Sequence, residues 1–377
     1  MKRLIISIAV LGLYLIVLCG CTGNVVSLFP VSNTTIPEMT IRDTESSSSG
    51  VINTTKESNN TDISLTIPTT DPSFESAAKY LQIDYNPYLL SPRSIELFGD
   101  NTDVLSDFYN QYIEDVIDGR PDRDLPDVMI PLLSRNHGLH VFQRIHPLQA
   151  LVRDSHYNLE DTHIIREFHF DAEEHERQVE LIANRVEEII TSTIREDFNQ
   201  LEATLALYHY LSMNSTYLEC EFSSTYGILV DSQGVCTGFT GALRHLLLQA
   251  GYDDGYSIQY QPADGTSGHV WNMININGEW YHFDITWENS SGAKNLLYYF
   301  GMTDAERADP SLAYYTMELA DDMPIPACTD ESFLPLRDAD EFVFNLEEHA
   351  VYIIMATGEW VLWNTQDMTF SPMTAPE

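Results

Sequence analysis

Residues 268–287, GHVWNMININGEWYHFDITW, decide the fold. Asn277-Gly278 is a strong short hairpin signal, because a two-residue I′ turn needs positive φ at both positions. The flanking residues alternate, so the stretch reads as two antiparallel strands with Ile276 opposite Glu279, Trp271 opposite Asp284 and His269 opposite Thr286. Strand side chains alternate between faces. His269, Trp271, Met273, Trp280, His282 and Asp284 therefore share a chemical face, and Val270, Ile274, Ile276, Tyr281, Phe283 and Ile285 an apolar one. His269 and Asp284 are diagonal neighbours about 7–8 Å apart between backbones, a gap their side chains can close with a hydrogen bond.

Just upstream, residues 231–251 read DSQGVCTGFTGALRHLLLQAG. Phe239, Ala242, Leu243, Leu246, Leu247 and Ala250 keep helical spacing until Gly251, a common residue just past a helix end, so Cys236 falls in the first turn. If that turn abuts the chemical face of the hairpin, Cys236, His269 and Asp284 form a nucleophile, a base and an orienting carboxylate. An ordinary thiol, with pKa about 8.5, is only a few per cent ionised at neutral pH, and a helix N-terminus and a nearby imidazolium both favour the anion. Gly234 and Gly238 are expected to let a substrate backbone approach the sulfur, and the Cys236 amide to donate to an oxyanion. His282 is the rival base, but Tyr281 and Phe283 around it resemble a packed strand, whereas Gly268 opens the chain before His269. A metal held by Cys236 and both histidines lacks a further ligand at a recognisable spacing, so neither metal nor cofactor is expected.

Outward from this core, Asp171 with Glu174 makes a helix-cap signature, followed by Val179, Ile182, Ala183, Val186, Ile189 and Ile190 at helical spacing. A second amphipathic helix is expected from about Phe198 to Met213. From Glu341 the segment EFVFNLEEHAVYIIMATGEWVLWNT reads as two or three strands with a turn at Thr357-Gly358. Residues 74–168 mix short apolar runs with prolines and match no named module.

The chain starts MKRLIISIAVLGLYLIVLCGC, two basic residues and a short apolar run ending in Leu18-Cys19-Gly20-Cys21. That is a secretory leader over residues 1–21, and its end resembles a bacterial lipobox, cut before Cys21, which takes the lipid. Residues 22–73 hold 20 Ser or Thr and one aromatic, too little apolar surface to offset ordering entropy, and read as a tether whose ends lie on the order of 40 Å apart. A formal net charge of −38 argues against nucleic acid, whose binding rests on cationic contacts to phosphate. Cys220 and Cys328 are candidates for one disulfide outside the cell, leaving Cys236 as the odd thiol.

The motifs GVCTG at 234–238, GHVWN at 268–272 and WYHFDITW at 280–287, in that order, resemble the transglutaminase-like domain of the bacterial extracellular type, and the likeness extends over residues 169–306. The resemblance implies an α+β, papain-like core with a nucleophile helix on an antiparallel sheet, a helical N-terminal flank and a small β extension over 307–377. It also implies Cys236 as nucleophile, His269 as general base and Asp284 as orienting acid. Papain-like enzymes use a side-chain oxyanion donor upstream of the cysteine, for which Gln233 and Tyr226 are the candidates. The expected function is a lipid-anchored enzyme on the outer face of the bacterial membrane. It would act through a cysteine on amide bonds of extracellular protein or peptide, including cell-wall material, with hydrolysis favoured over cross-linking. The alternative is an inactive surface protein that keeps this fold to bind a partner.

Overall fold

A computed structural model of the chain describes residues 79–93, 102–124, 146–158, 163–220, 222–260, 268–290, 297–309 and 325–375. The leader, Cys21 and the Ser/Thr-rich stretch lie outside these residues. In chain order the elements are α1 (Thr102–Ile117), β1 (Asp122–Asp124), β2 (Val152–Asn158), β3 (His163–Phe168), α2 (Ala172–Thr193), α3 (Gln200–Asn214), β4 (Thr216–Tyr217) and β5 (Gln233–Gly234). They continue with α4 (Cys236–Gln249), β6 (Tyr256–Tyr260), β7 (His269–Ile276), β8 (Glu279–Phe283), α5 (Ile285–Ser290), β9 (Phe300–Met302), α6 (Asp304–Ala308), β10 (Ala339–Asn345), β11 (Ala350–Met355), β12 (Trp360–Asn364) and β13 (Thr369–Met373). Among the described residues no helix is long and apolar enough to cross a membrane.

The central sheet is antiparallel in the order β6-β7-β8-β9. Its hairpin has the expected register from Ile276↔Glu279 to Asn272↔Phe283, and Asn277 (φ 55°) and Gly278 (φ 97°) both take the positive φ that a I′ turn requires. The second strand is shorter than the alternation suggests. It ends at Phe283, and Asp284 caps α5: its Oδ1 accepts from Trp287 N at 3.1 Å and its carbonyl from Glu288 N at 3.2 Å. A short acidic side chain that satisfies the free amides of a first helical turn outweighs the β propensity of Ile285, Thr286 and Trp287. The expected cross-strand pairs Trp271–Asp284 and His269–Thr286 therefore do not form as ladder pairs.

Both faces of this sheet are buried. Ile274, Ile276, Tyr281 and Phe283 join the main core with Phe239, Ala242, Leu243, Leu246 and Leu247 of α4, so the nucleophile helix covers the apolar face and not the chemical one. Thr240 of α4 fastens it to β7, donating to Val270 O at 3.1 Å and accepting through its own carbonyl from Asn272 Nδ2 at 3.0 Å. On the other side Trp271 and Met273 form a second buried cluster with Ile258 and Cys328. Cys328 and Cys220 are both free thiols, so the bridge considered between them is not made. Cys328 is buried against Trp271 instead, and its backbone amide donates to Asp304 Oδ2 at 3.0 Å.

Asp171 caps α2 as its spacing predicts, accepting from Glu174 N at 3.1 Å. Helix α3 differs from expectation: it is buried nearly all round, from Leu201 to Tyr208, because other elements pack on every side. One of these is the antiparallel sheet β10-β11-β12-β13, whose Val351, Ile353 and Trp363 share the main core with Phe300 and Phe333. Glu202, with no exposed surface, joins the two. Its carboxylate caps Asn199 N at 3.0 Å and accepts from His349 Nδ1 at 2.7 Å and Thr365 Oγ1 at 2.6 Å. Residues before α2 pack on the same unit, with Ser91 Oγ donating to Asp254 at 2.7 Å and Arg93 paired to Asp253.

Glu202→Ala should leave three donors unanswered, the buried Thr365 hydroxyl among them, and lower unfolding free energy by about 3 kcal/mol. Glu202→Gln, which keeps an acceptor, should lose less. Urea denaturation tests both, and a midpoint unchanged in Glu202→Ala would show that the C-terminal sheet is not held through this group.

Candidate active site

Cys236 is the first residue of α4, after Val235 at the cap position. At that position the backbone N–H has no partner within the helix. The chain reaches it through a π-helical turn, Gly227–Asp231, then Ser232 in the left-handed region (φ 57°) and β5, which pairs parallel to β4. Val235 N donates to Ser223 O at 3.0 Å, so residues 222–231 form the floor under the cysteine loop. Gly234 and Gly238 serve this floor and not a substrate. A Cβ on Gly238 would lie 2.7 Å from the carbonyl oxygens of both Ser223 and Ser224, and one on Gly234 2.8 Å from Ser223 O. The reason for glycine is close backbone packing, which corrects the expected role in substrate approach.

His269 opens β7 and lies at the end of the sheet where α4 begins. This is how the sulfur meets the imidazole although α4 covers the opposite face. His269 Nε2 is 2.7 Å from Asp284 Oδ2, and the Cys236 side chain also hydrogen-bonds the ring. His269 stacks on Trp271 (centroids 5.7 Å) and sits 5.8 Å from the Trp287 ring. Burial works against a charged imidazole, but the Asp284 carboxylate and then the Cys236 sulfur outweigh it and hold His269 up at about 9. Asp284 is 1% exposed. Burial pushes its carboxyl up, yet the His269 charge and hydrogen bond, Arg307 and the Trp287 amide together hold it below the ordinary carboxylate range.

The rival base is committed elsewhere. His282 is fully buried, with Trp271 Nε1 donating to its Nδ1 at 3.0 Å and its Nε2 2.9 Å from Asp304 Oδ1. An indole can only donate, so Nδ1 carries the lone pair and Nε2 the proton. Burial holds this ring's pKa down, against the pull of Asp304. The two histidines therefore do not converge on Cys236. His282, Asp304 and Cys328 do cluster, with ligand atoms within 4.8 Å of one another, but the proton on His282 Nε2 points at Asp304 and disfavours metal ligation.

Of the two upstream donors, Tyr226 is spent in packing: its hydroxyl donates to Gln178 Oε1 at 2.6 Å, and burial with the nearby Asp231 pushes it up to about 12. Gln233 is half-buried in β5, on the strand that leads into Cys236. The residue missed from sequence is Arg307, one position beyond the expected limit at Glu306. It has no exposed surface, donates through Nη1 to Asp284 Oδ2 at 3.0 Å, and lies 4.1 Å over the Trp271 ring and 5.5 Å from that of Trp287. The available signal was the Thr303–Glu306 capping box, which sets α6 and so the direction of Arg307.

A family model described as the transglutaminase-like superfamily matches residues 187–285, so the chain contains a transglutaminase-like domain there. Such domains are typically cysteine-dependent acyltransferases or proteases, and the matched span includes Cys236, His269 and Asp284. No curated protein gives a significant match to the chain.

The His269 shift predicts a pH dependence of stability. The unfolded imidazole titrates near about 6.5, so the extra proton affinity of the folded state stabilises it fully below that pH and is lost as pH rises through about 9. Asp284 acts in the opposite sense, stabilising above the unfolded carboxylate pKa of about 3.9 and losing effect as pH falls. The stability gap between the parent protein and His269→Gln should be widest near about pH 6 and narrow toward about pH 9. Urea midpoints across that range measure it; a constant gap would mean the ring is not held charged.

Proposed function

We propose that this protein is a cell-surface cysteine enzyme that opens amide bonds of extracellular protein or peptide through a thioester. The observation that carries the reading is the hydrogen-bonded run from Cys236 at a helix tip through His269 to Asp284. The transglutaminase-like match over the same residues supports it.

In this reading the Cys236 thiolate attacks the amide carbon, forming a C–S bond while the carbonyl electron pair moves to oxygen. The free N–H of Cys236 meets that oxyanion, with the Gln233 amide as second donor in place of the engaged Tyr226. Collapse breaks the C–N bond, and the His269 imidazolium gives its proton to the departing amine. Water then attacks the thioester as the neutral His269 takes one of its protons. The C–S bond breaks, the acid leaves, and the thiolate and imidazolium are restored. Asp284 stays ionised and orients the ring. Water is favoured over an amine because it reaches any open thioester, whereas cross-linking needs a second substrate held beside the first.

Cys236→Ala should abolish hydrolysis of a responsive substrate by roughly 1,000-fold or more. Incubation with peptide or cell-wall fragments should give a mass adduct on Cys236, with activity declining above about pH 9 as His269 loses its proton. A parent protein that leaves its ligand chemically unchanged, with a Cys236→Ala variant that captures the ligand equally well, would favour the noncatalytic binding role.

Anchoring is through a diacylglyceryl group on Cys21 at the outer face of the membrane. Cys21→Ser should release the protein from the membrane fraction into the medium; retention of that variant on the membrane would refute the lipid anchor.

A further inference from the structure

The catalytic reading leaves one electrostatic problem. Asp284 is almost wholly buried, and in each turnover His269 must pass its proton on and become neutral. At that moment the carboxylate would lose its cationic partner, and a buried carboxylate without one tends to take up a proton. A protonated Asp284 would no longer hold the imidazole in the tautomer that faces the sulfur.

Arg307 meets this need by its position. It reaches the same oxygen, Oδ2, that His269 uses, at 3.0 Å against 2.7 Å. Among the described residues Asp284 is its only ion-pair partner, and its Nε and Nη2 are buried with no hydrogen-bond acceptor. The guanidinium is held instead on the faces of Trp271 and Trp287, the two indoles that also flank His269. Both cations are thus registered by one aromatic pair against one carboxylate oxygen. A guanidinium is a permanent cation in proteins, so this charge is constant while that of His269 alternates. Its helix is in turn tied to the C-terminal segment, with Arg337 Nε donating to Glu306 Oε1 at 2.7 Å and Asp304 N to Cys328 O at 2.8 Å.

We propose, resting on the catalytic reading above, that Arg307 is a positioning residue: it keeps Asp284 ionised and in place through the half of the cycle in which His269 is neutral, and by sharing Oδ2 limits how tightly His269 holds its proton. The other titratable groups around this centre are Cys236 on α4, His282 on β8, Glu288 on α5, Tyr208 on α3 and Tyr299 before β9. Of these Cys236 is the one whose charge and hydrogen bond, beside those of Asp284, weigh most on His269, and all keep their identity when Arg307 alone is changed.

The first readout needs no substrate; the second is hydrolysis of whichever peptide or cell-wall fragment forms the Cys236 adduct. The alkylation rate of Cys236 by iodoacetate, an anion drawn by the imidazolium, should fall near pH 9 in the parent protein as His269 deprotonates. In Arg307→Gln the full Asp284 charge falls on His269, so this limb should move up by about 1–2 pH units. Hydrolytic kcat should drop by roughly tenfold or more, because the imidazolium gives up its proton less readily. Arg307→Lys keeps a cation on a shorter stem and should show a smaller upward move with part of kcat restored. A folded Arg307→Gln whose limb stays put or moves down overturns the proposal. If the Gln variant does not fold, a Lys variant with unchanged limb and unchanged kcat does the same. If Cys236 in the parent protein reacts no faster than in His269→Ala, the catalytic reading itself fails. A fast parent Cys236 with an unmoved limb in Arg307→Gln removes only the role of Arg307.

Discussion

A carboxylate with one hundredth of its surface exposed stays ionised only where cations and N–H groups replace the water it has lost. Asp284 is in that position, and each of its replacements comes from a different part of the chain: the His269 ring from the start of β7, the Trp287 amide from α5 and the Arg307 guanidinium from α6. Its carbonyl accepts from the Tyr208 hydroxyl of α3 at 3.3 Å, and its own amide donates to Tyr299 O at 3.1 Å. Displacing any of these elements uncovers charge in a dry interior. The fold around residues 187–285 is therefore bound to one arrangement by its most polar atom as well as by its core.

The same pressure explains why sequence outside that span is part of the site. Helix α6 is braced from the C-terminal side by Arg337, which bonds Glu306 and reaches Leu297 O at 3.3 Å. Arg337 in turn leads directly into β10, and the sheet it begins is locked to α3 through Glu202. The C-terminal strands thus brace the helix that carries Arg307. Their contribution is mechanical and electrostatic at once.

His269 and His282 show how much environment adds to residue type. They stand on the same face of one hairpin and both near Asp284, but one faces a carboxylate and a thiol while the other is bracketed by an indole N–H and Asp304. Their pKa values are driven in opposite directions, His269 up and His282 down. Within residues 268–287 only the glycine before His269 and the aromatic neighbours Tyr281 and Phe283 of His282 separate them.

Local signals were readable because their physics is local. The I′ turn at Asn277-Gly278, the cap at Asp171 and the start of α4 at Cys236 each depend on residues within one turn or one strand pair. Sequence also brought Cys236, His269 and Asp284 together as candidates, since motif spacing and strand alternation are properties of the chain itself. What sequence alone misjudged was set by partners distant along it. Asp284 left its strand for a helix cap, Gly234 and Gly238 turned to a backbone floor, and α4 took the apolar face so that its sulfur meets His269 around the sheet end. Arg307 entered because α6 is held by residues beyond 325, and only the folded chain decides which cation shares a buried oxygen.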